Sequence, residues 1–299
     1  MSLRRAYQAH EMLVAPARAR CALWRFVGGL ILAFVIYVAL NQAFFATVFS
    51  FVGSSGSLFE DGILTGTSPM SMYVLLVSFA FMTVGIGITV RILHNRSLRS
   101  VLGPLPLLWT DFRRVSVMMV VLLVVLAVLP PWDMGGAYVS NMPVGLWALL
   151  LPVSLIAVLI QVSAEEIVFR GYIQQQLAAR FKSPWVWMVL PAALFALGHY
   201  LPQEAGQNAL KIALWAGIFG LLMADLTARS GTLGPAIAVH LWNNVSAMLL
   251  VGLPDNLGGL ALYHAPFSMN DTAAMAAWLP VDFVLMFVSW LAARLAIRR

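Results

Sequence analysis

Eight apolar stretches, each about long enough to cross a bilayer's hydrocarbon core, follow one another along the chain: about 24–52, 70–90, 115–131, 144–169, 184–200, 209–228, 233–252 and 273–293. A backbone in lipid must satisfy its polar groups internally, which leaves helices or closed barrels. The stretches are continuous rather than alternating, unlike barrel strands. The expected fold class is therefore all-α, a polytopic membrane bundle of about eight transmembrane helices. Composition agrees: 61% of residues are hydrophobic and 10% charged, where soluble domains carry about 25% charged residues. A soluble enzyme, a disordered chain and a fibrous chain are excluded. The single cysteine, Cys21, excludes an internal disulfide framework and a cysteine-cluster metal site.

The net charge of +6 suggests a nucleic-acid partner only until the charges are placed. They sit at the ends of the stretches. Arg4, Arg5, Arg18, Arg20 and Arg25 precede or open the first, and Arg91, Arg96, Arg99, Arg113 and Arg114 separate the second from the third. Arg170, Arg180 and Lys182 follow the fourth, Arg229 the sixth, and Arg294, Arg298 and Arg299 the last. The alternate loops carry Glu60, Asp61 and Asp133 but no base; Lys211 is the exception. By the positive-inside rule both termini are expected in the cytoplasm of a multi-pass protein of the bacterial inner (plasma) membrane. Anionic lipid head groups are the expected partners of the basic face, and no nucleic acid is expected. Residues 1–22 do not read as a cleaved signal peptide. Three regions are expected: 1–143, a cytoplasmic segment and three spans without a recognised motif; 144–252, a catalytic helical core; and 253–299, the last loop and span.

A charge at the bilayer centre opposes insertion by about 2.5–3.5 kcal/mol, so charges inside spans mark candidate sites. Glu165 and Glu166 close the fourth apolar stretch, and Arg170 follows. Glu166 and Arg170 are i, i+4 on one helix face, acid first, which is the favourable order. Arg170 can neutralise Glu166 and leave Glu165, about 100° around the helix, free for general-base work. A bland alternative is that the acids merely cap the membrane boundary. His199 ends the fifth stretch, with Phe195 one turn before it. His240 opens the seventh and shares a helix face with Asn244 at i+4. Asn243 points elsewhere and reads as packing. A helical hairpin turning at Ser183-Pro184 sets Glu165 and His199 about 25 Å above the turn, whereas His240 lies about 10 Å above the turn at Ser230–Gly234. The three are level only if the first hairpin protrudes, which the polar tip Gln174–Gln176, Arg180 and Lys182 favours. The site is then expected about 10 Å inside the membrane, open to the cytoplasm, with Leu201–Asn208 re-entrant. His10, His94 and His264 read as solvated, and Asp225 as a partner of Arg229.

Glu165-Glu166-x-x-x-Arg170, Phe195-x-x-x-His199 and His240-x-x-x-Asn244 resemble, in order, the three motifs of the CPBP (CAAX protease and bacteriocin-processing) intramembrane endopeptidases, similar to the Rce-one / Abi group. Phe169-Arg170-Gly171-Tyr172 and Ser230–Ile237 also look like that family, and the likeness covers roughly 144–252. The resemblance implies a CAAX-type peptidase acting on a membrane-embedded or lipidated protein. Glu165 and His199 would activate a water, His240 and Asn244 would stabilise the oxyanion, Glu166 and Arg170 would balance charge, and Phe195 would shape the pocket. It leaves a metal open. No cofactor is favoured, because an H-E-x-x-H helix is absent; zinc, if present, would use Glu165, His199 and His240. Two further readings use the same polar cluster: a non-catalytic scaffold or immunity protein, and a proton-coupled transporter. Gly53-x-Ser55-Gly56 matches a short rhomboid-type serine motif but falls in the loop opposite the expected cavity, and is set aside.

Overall fold

The computed structural model describes residues 6–52, 65–129 and 135–298. The Gly53–Gly56 motif, the acids of its loop, Asp133, Arg4, Arg5 and Arg299 lie outside them. Thirteen helices are described: α1 (Glu11–Arg18), α2 (Leu23–Val52), α3 (Pro69–Ser78), α4 (Ala80–His94), α5 (Arg99–Leu102), α6 (Leu105–Val128), α7 (Val144–Glu166), α8 (Gln174–Arg180), α9 (Pro184–Gly198), α10 (Pro202–Ala205), α11 (Ala209–Ser230), α12 (Gly234–Val245) and α13 (Thr272–Ile297). The fold is an all-α membrane bundle.

Every expected apolar stretch is helical, but the stretches are not equivalent. Leu23–Phe51, Pro69–His94, Val144–Arg180, Pro202–Ser230 and Thr272–Ile297 are long and apolar enough to cross a membrane. α9 is apolar but has only 15 residues, and α6 carries Asp111, Arg113 and Arg114 in its first half. α12 has 12 residues, about 18 Å, and is buried nearly throughout. It is a core helix enclosed by protein, and it runs on as a π-helical turn over Ser246–Leu250.

Local chemistry sets the helix ends. Ser68 caps α3 in a reciprocal capping box with Ser71, ahead of Pro69. The Asp271 carboxylate accepts from the Ala274 amide at the start of α13 (3.0 Å). Three two-residue strands, β1 (Val139–Ser140), β2 (Val251–Gly252) and β3 (Tyr263–His264), join the loops in the order β1-β3-β2, with β1 antiparallel and β2 parallel to β3.

The fourth apolar stretch continues without a break from Val144 to Arg180, 37 residues, or about 55 Å. This is longer than the roughly 30 Å hydrocarbon core of a bilayer. Arg180 and Lys182 at the tip are exposed, but its glutamines are covered by protein. Gln174, Gln175 and Gln176 are all buried. Gln174 donates to the Ala224 carbonyl (3.2 Å) and Gln175 to that of Val101 (2.7 Å), while Arg96 donates to Gln175 (2.9 Å). α1 packs along this tip.

Just before α1, Tyr7 donates to Asp225 (2.8 Å), which also accepts from Arg229 (2.8 Å) and Trp290 (3.1 Å). The expected Asp225–Arg229 pair is thus part of a wider junction. Burial and the neighbouring carboxylate push the Tyr7 phenol up to about 12, so it stays a donor. His10 and His94 depart from the solvated reading. His10 is buried, its ring 4.7 Å from that of Trp187, and burial pushes its imidazole down to about 4. His94 is buried between the Arg20 carbonyl (3.0 Å) and the Tyr172 hydroxyl (2.9 Å). Both were obscured because helices remote in sequence cover them.

Gly231 ends α11 at φ 74°, and a Cβ there would meet the Ala9 carbonyl oxygen and Met12. Gly231→Ala is expected to lower stability by about 1–2 kcal/mol from the left-handed backbone alone. It should also loosen residues 7–18. A lower thermal midpoint together with faster trypsin cleavage at Arg18 in purified protein would register both effects.

Candidate functional site

α7 and α12 run antiparallel, and two side-chain rungs one helical turn apart cross between them. On the first, the His240 imidazole lies between the two glutamates: Nδ1 is 2.9 Å from Glu166 Oε1, and Nε2 is 3.4 Å from Glu165 Oε2. On the second, Asn244 donates its amide to Gln161 Oε1 at 2.9 Å. Glu165 and Gln161 are i, i−4 on α7; His240 and Asn244 are i, i+4 on α12. A π-helical turn, Ile167–Ile173, begins directly after Glu166. Such turns insert an extra residue into the helix and recur at functional sites.

Arg170 lies inside that turn and donates to Glu166 Oε1 (2.9 Å) and to the Gly220 carbonyl (3.3 Å). Its guanidinium sits 4.9 Å from the Phe195 ring. Arg170 and Glu166 are 1% and 0% exposed, whereas the Glu165 side chain keeps 12%. The Glu166–Arg170 pair is as expected. Glu165 is not free, because His240 is its neighbour. The i, i+4 rule sees partners on one helix and missed a partner brought by another.

Small residues explain how Phe195 reaches the cluster. Gly217 and Gly220 of α11 meet Ala196 and Ala192 of α9 closely. This seats the Phe195 ring 6.3 Å from that of His240. Phe219, not singled out in the sequence, packs 5.0 Å from the same imidazole. His199 lies on the far side of Phe195, ring centroids 4.4 Å apart, with Nδ1 2.9 Å from the Phe195 carbonyl. A carbonyl only accepts, so Nδ1 carries the proton in this contact. Among the described residues no hydrogen bond or ion pair joins His199 to Glu165 or His240. The structure therefore gathers Glu165, Glu166, Arg170, His240 and Phe195 directly, brings Asn244 in through Gln161, and keeps His199 one ring away.

Two residues differ from their sequence reading. Asn243 is not isolated packing: it donates to Asn244 Oδ1 at 3.2 Å. Gln161 was missed, although an amide four residues before Glu165 inside an apolar run was the same signal that marked Asn244 after His240. Phe219 had no such signal, since an aromatic residue in an apolar helix is ordinary core.

Buried side chains pack along the helices next to the cluster. Arg170 reaches Gly220 and Gln174 reaches Ala224, so successive turns toward the arginine-rich end are filled by buried side chains. The exposed neighbours of the cluster, Leu197 and Tyr200, lie at the other end. The linker after His199 is helical over residues 202–208. Glu204 in α10 accepts from Asn256 (3.2 Å), and Asn208 donates to the Thr272 carbonyl (2.8 Å). This linker and the loop before α13 form one surface.

The conditional zinc set was Glu165, His199 and His240. Among the described residues no three His, Cys, Asp or Glu side chains converge as metal ligands. His199 Nδ1 is committed to a carbonyl and its ring is separated from His240 by Phe195, so these three do not form a zinc site as arranged.

Comparison with known proteins follows the same residues. Residues 145–246 match the family model described as "Type II CAAX prenyl endopeptidase Rce1-like". "Uncharacterized protein YyaK" of Bacillus subtilis (strain 168) is 26% identical over 259 residues, covering 82% of this chain and 84% of that protein. No solved structure matches. Residues 145–246 of this integral membrane protein are therefore similar to the Rce1-like endopeptidases, consistent with the CPBP family that the three motifs resemble.

Proposed function

We propose that the chain is an intramembrane endopeptidase that hydrolyses a peptide bond of a membrane-associated or lipidated protein. The Rce1-like match supports a CAAX-type protease activity. The observation that carries the chemistry is the Glu165–His240 contact at 3.4 Å, beside a fully buried Glu166–Arg170 pair. Glu165 keeps partial exposure while its neighbours are sealed, which suits a carboxylate that must meet water.

In this reading Glu165 takes a proton from the water, and the resulting hydroxide oxygen bonds to the scissile carbonyl carbon. His199 would orient the water through Nε2, with its Nδ1–H held by the Phe195 carbonyl. The carbonyl π bond breaks, and the new oxyanion accepts from His240 Nε2–H and an Asn244 N–H. His240 can donate from both nitrogens only as the cation, and His240 with Arg170 would then balance the two carboxylates. Once Glu165 is protonated it holds the His240 N–H less strongly, which frees that donor for the oxyanion. Collapse breaks the C–N bond, and Glu165 returns its proton to the leaving amine. Each preorganised oxyanion donor contributes about 2.7–4 kcal/mol in comparable sites. No step is assigned to a metal. The arginine-rich end is assigned to the cytoplasm, where it would meet anionic head groups.

The test is proteomics of membrane fractions from cells carrying the wild type or Glu165→Ala. Cleavage products should vanish in the variant and should persist when wild-type membranes are treated with chelators. Identical product sets in the two strains would reject the protease reading. Loss of products on chelation with recovery on zinc would reject the metal-free mechanism alone.

A further inference from the structure

We propose that Gln161 is a positioning residue for this reaction, one that fixes the amide of Asn244 with its N–H groups toward the site; the proposal rests on the protease reading above. An asparagine amide can turn over and exchange its oxygen for its nitrogen. A reversed Asn244 would present a carbonyl to the developing oxyanion and repel it. Two contacts hold it one way. Gln161 Oε1, which only accepts, takes one N–H of Asn244 at 2.9 Å. Asn243 donates to Asn244 Oδ1 at 3.2 Å. The second N–H of Asn244 remains for the reaction.

Burial makes the arrangement consequential. Gln161 is 6% and Asn244 8% exposed, and a buried amide pair is strongly directional because water cannot substitute for the missing partner. The spacing gives it a catalytic setting. Gln161 stands one turn from Glu165, as Asn244 stands one turn from His240, so the rung that fixes the amide lies directly beside the rung that holds the base. A polar side chain placed only to join two helices would not need to meet the one amide next to the His240 imidazole.

The experiment is a double-mutant cycle with Gln161→Met and Asn244→Ala in purified full-length protein in nanodiscs. It is read both as cleavage of a fluorogenic farnesylated CAAX-type peptide and as thermal midpoint. Methionine preserves length and volume but cannot accept. Gln161→Met is expected to lower kcat roughly 10- to 100-fold with KM within about two-fold. Asn244→Ala should lower kcat about 100- to 1,000-fold, the loss expected for one oxyanion donor. The double variant should be no slower than Asn244→Ala, because Gln161 acts only through that amide. Independent losses that multiply in the double variant overturn the proposal, as does a loss confined to KM or to the thermal midpoint. If the wild type cleaves the probe no faster than Glu165→Gln, the protease reading fails instead. The thermal cycle then still reports the Gln161–Asn244 coupling, and its absence would overturn the fixed amide as well.

Discussion

Glu165→Gln is expected to slow peptide cleavage by about 10²–10⁴-fold, the contribution of a positioned general base, while leaving the folded protein intact. Glutamine has the shape of glutamate and retains an oxygen that can face His240 Nε2, now 3.4 Å from the carboxylate. It cannot take a proton from water. The fully buried ion pair beside it, Arg170 with Glu166, is untouched, so the thermal midpoint should move little. Cleavage rate and midpoint measured on one preparation separate the two effects. A variant that keeps a tenth or more of wild-type activity would remove Glu165 from the base role. His240 and its other partner, Glu166, would then be the carboxylate–imidazole pair to examine.

Arg170→Met should instead act on the fold. Its guanidinium neutralises Glu166, which is 0% exposed, and it also caps the Gly220 carbonyl at 3.3 Å. Removing one partner of a buried pair leaves Glu166 out of reach of water with the His240 imidazole alone against it, at a cost of about 3–5 kcal/mol. Methionine fills much of the volume against Phe195, so lost packing contributes less than lost charge. Folded yield after detergent extraction and the midpoint of the surviving material should both fall sharply. Glu166→Gln combined with Arg170→Met should recover much of the loss, since replacing both members of such a pair is often close to neutral. A double variant no better than Arg170→Met alone would mean that the arginine acts mainly through Gly220 and the aromatic rings.

The bundle was legible because lipid leaves the backbone so few choices. Runs such as Leu23–Phe51 and Thr272–Ile297 announce their helices by length and hydropathy. Short-range chemistry was equally readable: Glu166 with Arg170 and Asp225 with Arg229 follow from a spacing of four on one helix. Partners brought from other helices were not. His240 beside Glu165, Gln161 beside Asn244, and Trp187 over His10 depend on how helices pack, which periodicity does not encode. The side chains that pack around the site were hidden for the same reason. Counting residues from a turn locates a side chain along its own helix but does not say which neighbours close one end of the cluster.

The junction at Asp225 links places that a ribosome delivers far apart in time. Tyr7 must wait for a carboxylate 218 positions downstream, and the indole of Trp290 arrives 65 positions later still. The amino-terminal residues therefore leave the exit tunnel long before their seat exists and stay in water while successive helices enter the bilayer. Only when the final helix is inserted does the collar around the catalytic hairpin close. A nascent chain arrested before that point would hold its three motifs in order but lack the Tyr7–Asp225–Trp290 junction.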